Sequence, residues 1–224
     1  MKPFRMFAHT AMIAGISAMM FVAAIATAAQ TTKSEEKKTA PGEAATATAL
    51  DNLQAAYDGE SNAKTRYEAF AKKADEEGYT KIASLFRAAA HAESVHISNH
   101  VAVIKKMGGE PKADIKVPDV KSTKENLEAA IKGETYETEI MYPGFIKQAR
   151  DEKNKDALKT FNGAKAVEAE HAKLFKQALE NLDQGKGGAV AYYVCKVCGY
   201  TAIQLPKNDC PICSNPKDNF DKVK

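Results

Sequence analysis

Tryptophan is absent from the 224 residues, and cysteine is nearly so. The four cysteines, Cys195, Cys198, Cys210 and Cys213, all follow residue 194, so nothing before them can be held by a disulfide. Charge of one sign is also missing. Setting aside Lys2 and Arg5 leaves 30 basic against 29 acidic residues, without the basic excess that nucleic-acid binding requires. Long apolar runs are missing too, with one exception. Ala11 to Ala29 carries no charge, follows Lys2 and Arg5, and ends in Ala26-Thr27-Ala28. That order is a secretory signal peptide over 1–28. The alternative is a retained anchor, because 19 uncharged residues approach the roughly 20 that span a bilayer. Export, to a periplasmic location, is the expectation. Residues 29–48 have no large apolar side chain and read as a flexible tether.

From 49 to 183 apolar residues recur at helical spacing, which predicts a mainly α fold. The first stripe is Leu53, Ala56, Glu60, Ala63, Tyr67, Phe70 and Ala74. The second is Ile82, Phe86, Ala89, Glu93, His96, His100, Val103 and Met107. The third is Leu127, Ala130, Glu134, Glu137 and Met141. The fourth is Phe161, Ala164, Glu168, His171, Phe175, Ala178 and Leu182. Gly78 ends the first helix and Gly108-Gly109 the second. Pro111 and Pro118 then make a long crossover, and Ser122 or Thr123 caps the third helix. Two pairs of helices joined by a crossover form the ferritin-like connectivity of a four-helix bundle. Pro143-Gly144 is expected to kink the third helix just past Glu137.

Each stripe is broken at mid-length by ionisable residues: Glu60; Glu93 and His96; Glu134 and Glu137; Glu168 and His171. Glutamates in a charged chain commonly face solvent, but all of these fall on the apolar face of their own helix. Residues three apart point the same way, so Glu93/His96 and Glu168/His171 are inward E-x-x-H pairs. Five bare carboxylates in one core layer would each cost several kcal/mol, so cations belong there. Carboxylate with imidazole suits iron or manganese, and one Glu from each of two helices plus two E-x-x-H pairs is a di-metal pattern. His100 reads as a packed or supporting group, and His91, off the stripe, as exposed. Tyr67 and Tyr142 lie within two turns of ligand positions and can hydrogen-bond a ligand glutamate.

Residues 184–189 read as a flexible hinge, and 190–224 as a small β domain. Its two C-x-x-C pairs describe a four-thiolate metal site. Spacing alone leaves zinc, iron or two disulfides open. A redox-active bundle beside it needs an electron supply, which favours iron.

The stretches GESNAKTRY (59–67), HAESVH (91–96), GETYETEIMYPGF (133–145), EAEH (168–171) and VCKVCGY…CPICSNPKDNF (194–220) together resemble rubrerythrin, from about residue 49 to the end. The resemblance implies a ferritin-like di-iron bundle followed by a rubredoxin-like domain. The implied activity is a peroxidase reducing hydrogen peroxide to water, in protection against oxidative stress. Electrons would enter at one iron held by Cys195, Cys198, Cys210 and Cys213, with zinc as the substitute. They would pass to two non-haem irons, with or without an oxo bridge. Glu60, Glu93, Glu134, Glu168 and His171 would hold that pair, Glu93 and Glu168 bridging, with His96 and Glu137 alternating on one iron. The other implied partners are a separate electron-donor redox protein and a second copy of the chain, whose ribbon would lie near this chain's di-iron site. A signal peptide departs from the family pattern and would exclude cytoplasmic reductases as donors. The competing reading is a ferritin-like protein that oxidises and sequesters iron, with a structural zinc ribbon.

Overall fold

The computed structural model describes residues 47–224; the expected signal peptide and most of the expected tether lie outside the described residues. Helix α1 spans Ala49–Glu76 and begins in a capping box, with Thr48 and Asp51 satisfying each other's backbone N–H groups. Gly78, at φ 81°, turns the chain into α2, Thr80–Lys106. Near its end Ile104 is fully buried with the expected Val103 packed half-buried against the same cluster, and the expected Met107 is exposed. Among the described residues no helix is long and apolar enough to cross a membrane.

The crossover runs along α1 without pairing as a strand. Gln54, Asp58 and Asn62, one helical turn apart, hydrogen-bond the backbone of residues 110, 112, 114 and 116. Three polar side chains thus replace a neighbouring strand for an extended segment. Ser122, with Glu125, caps α3, Thr123–Tyr136. The single kinked helix expected here is instead a helix interrupted by a π turn, Glu137–Met141, before α4, Tyr142–Asp151. Pro143 has no N–H to continue the α-helical ladder, and the widened turn, closed by Tyr142 N–H on Glu137 O, absorbs the mismatch. Asn154 caps α5, Lys155–Glu180.

Two apolar clusters stack along the bundle. One joins Tyr67, Phe70, Phe86, Leu127 and Phe175, the other Leu53, Ile104, Tyr142, Ile146 and Phe161. The ionisable side chains lie between them.

The stretch expected to be a flexible hinge, 184–189, is anchored at its two ends, while residues 186–189 are exposed. Leu182–Gly185 forms a 3₁₀ turn, Gly185 is buried against Ile82, and Val190 N–H donates to Ser84 Oγ. The ribbon that follows is a three-stranded antiparallel sheet. Strand β1 (Tyr192–Cys195) lies between β2 (Thr201–Ala202) and β3 (Phe220–Val223). It packs on α2 and α5: His91 and Asp221 meet at 3.1 Å, and Arg87 Nε–H donates to the Lys224 carbonyl at 2.6 Å. His91, expected to be exposed, is off the buried stripe with its side chain 37 % exposed, and it pairs with Asp221 across the ribbon contact.

Candidate metal centres

The bundle layer is buried. Glu60, Glu93, His96, Glu134, Glu168 and His171 are at most 1 % exposed and Glu137 is 8 % exposed. The side chains form two four-donor groups, Glu60/Glu93/His96/Glu168 and Glu93/Glu134/Glu168/His171, each with its ligand atoms within 4.8 Å of one another. The groups share Glu93 and Glu168, the geometry of two ions bridged by two carboxylates. Both imidazoles turn Nδ1 inward: His96 Nδ1 is 2.7 Å and His171 Nδ1 2.8 Å from Glu168. The His171 approach and five carboxylate oxygens lack hydrogen-bond alignment, leaving buried polar atoms on Glu60, Glu93, Glu134, Glu168 and His171 with no protein partner. Orphaned acceptors converging at such distances fit dications, because five carboxylates outnumber the two imidazoles that face them. Glu137 is buried beside them but outside both groups; His96 occupies the inward position.

Charge crowding shows in the proton affinities. Burial, then the neighbouring carboxylates, push Glu93, Glu134 and Glu137 well above the usual carboxylate range. Glu168 is also raised by burial, yet His96 and His171 outweigh this and hold it at about 2. Burial opposes charge on His96, but Glu168, Glu93 and Glu60 together raise it well above 6.5.

A tyrosine reaches the layer from each apolar cluster. Tyr67 donates to Glu134 and Tyr142 to Glu60. Behind Tyr142 the chain of bonds continues. His100 Nε2–H donates to the Tyr142 oxygen at 3.2 Å, and the Thr160 hydroxyl donates to His100 Nδ1 at 3.1 Å. Burial lowers the His100 pKa, in keeping with a neutral ring that donates at one nitrogen and accepts at the other. Thr160 lines a groove of about 660 Å³ between α2, α5 and the ribbon, which Cys198 and Cys213 also line.

In the ribbon all four cysteines are free and converge on one point. Sγ separations of 3.7 Å (Cys195–Cys213) and 3.6 Å (Cys198–Cys210) exclude disulfides. They match the edges of a tetrahedron with metal–sulfur bonds of about 2.3 Å. Each C-x-x-C turn is followed by a left-handed residue, Gly199 at φ 83° and Ser214 at φ 57°. The backbone bonds Gly199 N–H to Cys195 O and Ser214 N–H to Cys210 O close the two matching knuckles.

The centres touch. His96 Nε2–H donates to the Cys198 carbonyl at 3.0 Å, and His171 Nε2–H donates to Thr201 Oγ1 at 3.1 Å. Asn99 Nδ2–H donates to the Val197 carbonyl at 3.0 Å. The rubrerythrin resemblance implies a partner's ribbon at this place; here the chain's own ribbon fills it. Gly199 permits the approach, since a Cβ there would stand 2.8 Å from His96 Nε2. Sequence reasoning missed Thr201, Thr160 and Asn99. None stands in a ligand motif, and only the fold brings them to the layer or its border.

The rubrerythrin family model matches residues 51–179, and the model described as "Rubrerythrin, rubredoxin-like domain" matches 193–221. Nigerythrin of Nitratidesulfovibrio vulgaris is 39 % identical over 186 residues, covering 83 % of this chain and 89 % of that protein. Rubrerythrin-2 of Clostridium acetobutylicum is 36 % identical over 178 residues, 76 % of this chain and 94 % of the relative. Among solved structures, the fully reduced, all-ferrous state of nigerythrin superimposes with a TM-score of 0.73 at 38 % identity, over 84 % of this chain and 91 % of that one. A bacterioferritin from Mycobacterium tuberculosis, 23 % identical, shares the bundle fold alone, with a TM-score of 0.56 over 61 % of this chain and 86 % of its own.

Proposed function

Because this chain belongs to the rubrerythrin family, we propose that it is a non-haem iron peroxidase that reduces hydrogen peroxide to water. The carrying observation is the contact between the two centres. A carbonyl of the first cysteine loop accepts a hydrogen bond from a histidine whose other nitrogen faces the paired carboxylates. An electron relay needs such a path, and a structural zinc ribbon does not.

Iron in the paired site would supply electrons for O–O cleavage, and iron in the four-cysteine site would pass replacements one at a time. The donor sets support this loading: hard carboxylates and imidazoles in the bundle, soft thiolates in the ribbon. Glu93 and Glu168 would bridge, Glu60 and His96 complete one position, and Glu134 and His171 the other. Glu137 lies one turn beyond Glu134 and could replace His96 when the site carries more positive charge. Tyr67 and Tyr142 hold Glu134 and Glu60 by donating to them, which keeps the carboxylates oriented while the charge between them changes. The aromatic clusters on either side exclude water from the layer.

The charge pattern of residues 1–28 supports export, and with it a periplasmic redox protein as donor. A homodimer is the assembly the family suggests. Apolar side chains exposed on the crossover (Ile115, Val117), at the end of α3 (Tyr136) and in the π turn (Ile140) support a second copy.

The test is to purify the mature chain without oxygen, count iron and zinc per chain, and follow the spectrum of reduced protein on mixing with peroxide or air. Three irons, a thiolate-to-iron absorption and faster reoxidation by peroxide are expected. Zinc in the ribbon with a redox-silent bundle would sink the proposal and point to iron handling.

A further inference from the structure

Both inward-facing histidines have their outer nitrogens held by the ribbon, and by different groups. For His96 the acceptor is the Cys198 backbone carbonyl; for His171 it is the side chain of Thr201. Thr201 stands on β2, is 2 % exposed, and donates its hydroxyl proton to the Gly199 carbonyl at 3.1 Å. Its oxygen is therefore an acceptor towards His171, and the imidazole must present Nε2–H. In a neutral ring that fixes the tautomer: Nδ1, 2.8 Å from Glu168 and 3.7 Å from Glu93, is then the nitrogen that offers a lone pair to an ion in the layer. A neutral imidazole ligates through a lone pair, and the partner of its other nitrogen decides which lone pair that is. No bundle residue hydrogen-bonds His171 Nε2; the acceptor is a residue 30 positions away on another element.

We propose that Thr201 is a positioning residue for the metal position formed by Glu93, Glu134, Glu168 and His171, and that it makes ligation there depend on the docked ribbon. The ribbon then has two roles at the bundle. Its Cys198 carbonyl orients the histidine of one position, and its Thr201 hydroxyl orients that of the other. This inference rests on the di-metal reading of the bundle.

The experiment uses the full chain, with zinc in the four-cysteine site and cobalt(II) titrated into the metal-free bundle. Wild type should take up two cobalt ions. Thr201→Val, which keeps the shape of the side chain and removes the acceptor, should bind one of the two about 10–100-fold more weakly. Thr201→Ser should restore wild-type binding. Retention of the ribbon zinc reports that the domain stays folded. A valine variant that binds both cobalt ions like wild type overturns the proposal and leaves the di-metal reading standing. A wild type that binds no cobalt pair sinks both. Independently of any variant, nitrogen-15 NMR of the wild-type chain with zinc in both sites should show His171 carrying its proton on Nε2, with that proton protected from exchange. The Nδ1–H tautomer would overturn the assignment.

Discussion

Tyr67 and Tyr142 share a residue type and a task, yet the structure makes them unequal. Tyr67 Oη donates to Glu134 and accepts nothing. Tyr142 Oη donates to Glu60 and accepts from His100, so its removal strands two groups in a fully buried site. An unsatisfied buried polar group costs about 1–3 kcal/mol. Tyr142→Phe should therefore destabilise the metal-free chain by that much more than Tyr67→Phe, measured by urea unfolding. Equal losses would mean that His100 finds another partner. At this scale much was legible in the sequence. The seven ionisable residues were marked by breaking apolar stripes, and the tyrosines by their distance from those breaks. Thr160 and Thr201 carried no mark, because a threonine becomes an acceptor or donor for a histidine only when the fold sets it opposite one.

At the level of elements, the periodicity located the helices and the prolines located the crossover and the break in the third helix. It did not show how each irregularity is satisfied. The π turn before Pro143 and the Gln54/Asp58/Asn62 ladder under the crossover are arrangements of backbone groups, and hydropathy spacing is blind to those. The docking of ribbon on α2 is equally invisible, although one glycine records it. Gly199 and Gly78 both have positive φ, at 83° and 81°. Beside Gly78 there is open space, whereas a Cβ on Gly199 would press on His96 Nε2 at 2.8 Å and on the Ala92 carbonyl at 3.2 Å. Alanine at either position costs about 1–2 kcal/mol of left-handed strain. Only Gly199→Ala should also push the ribbon off the bundle. Rapid mixing of the reduced iron-loaded chain with peroxide should show Gly199→Ala slowing oxidation of the thiolate-bound iron, while Gly78→Ala leaves that rate unchanged. Unchanged rates in both would show that the close approach is not the path.

Over the whole molecule the dominant fact is a layer of carboxylates that the fold keeps out of water. Without metal, Glu93, Glu134 and Glu137 hold protons more tightly when folded than at their ordinary value of 4.5. Above pH 4.5 the folded chain therefore binds more protons than the unfolded one, and stability falls as pH rises towards the elevated values. His96 adds to the same trend. Raised above 6.5, it contributes stability that is complete below that pH and lost as pH climbs through its folded value. Glu168 works the other way but lower, adding stability as pH rises from about 2 to 4.5. The metal-free chain should thus be most stable near pH 4.5 and weaken towards neutrality, by up to about 1.4 kcal/mol per pH unit for each proton released. Metal ions reverse the slope, because they bind the deprotonated ligands and bind them better as pH rises. Melting temperatures of the chelated and the iron-loaded chain should therefore diverge between about pH 5 and about pH 8, the first falling and the second holding or rising. A chelated chain that grows more stable over that range would mean that these glutamates are not confined to a buried layer, and the case for a resident cation pair would lose its physical basis.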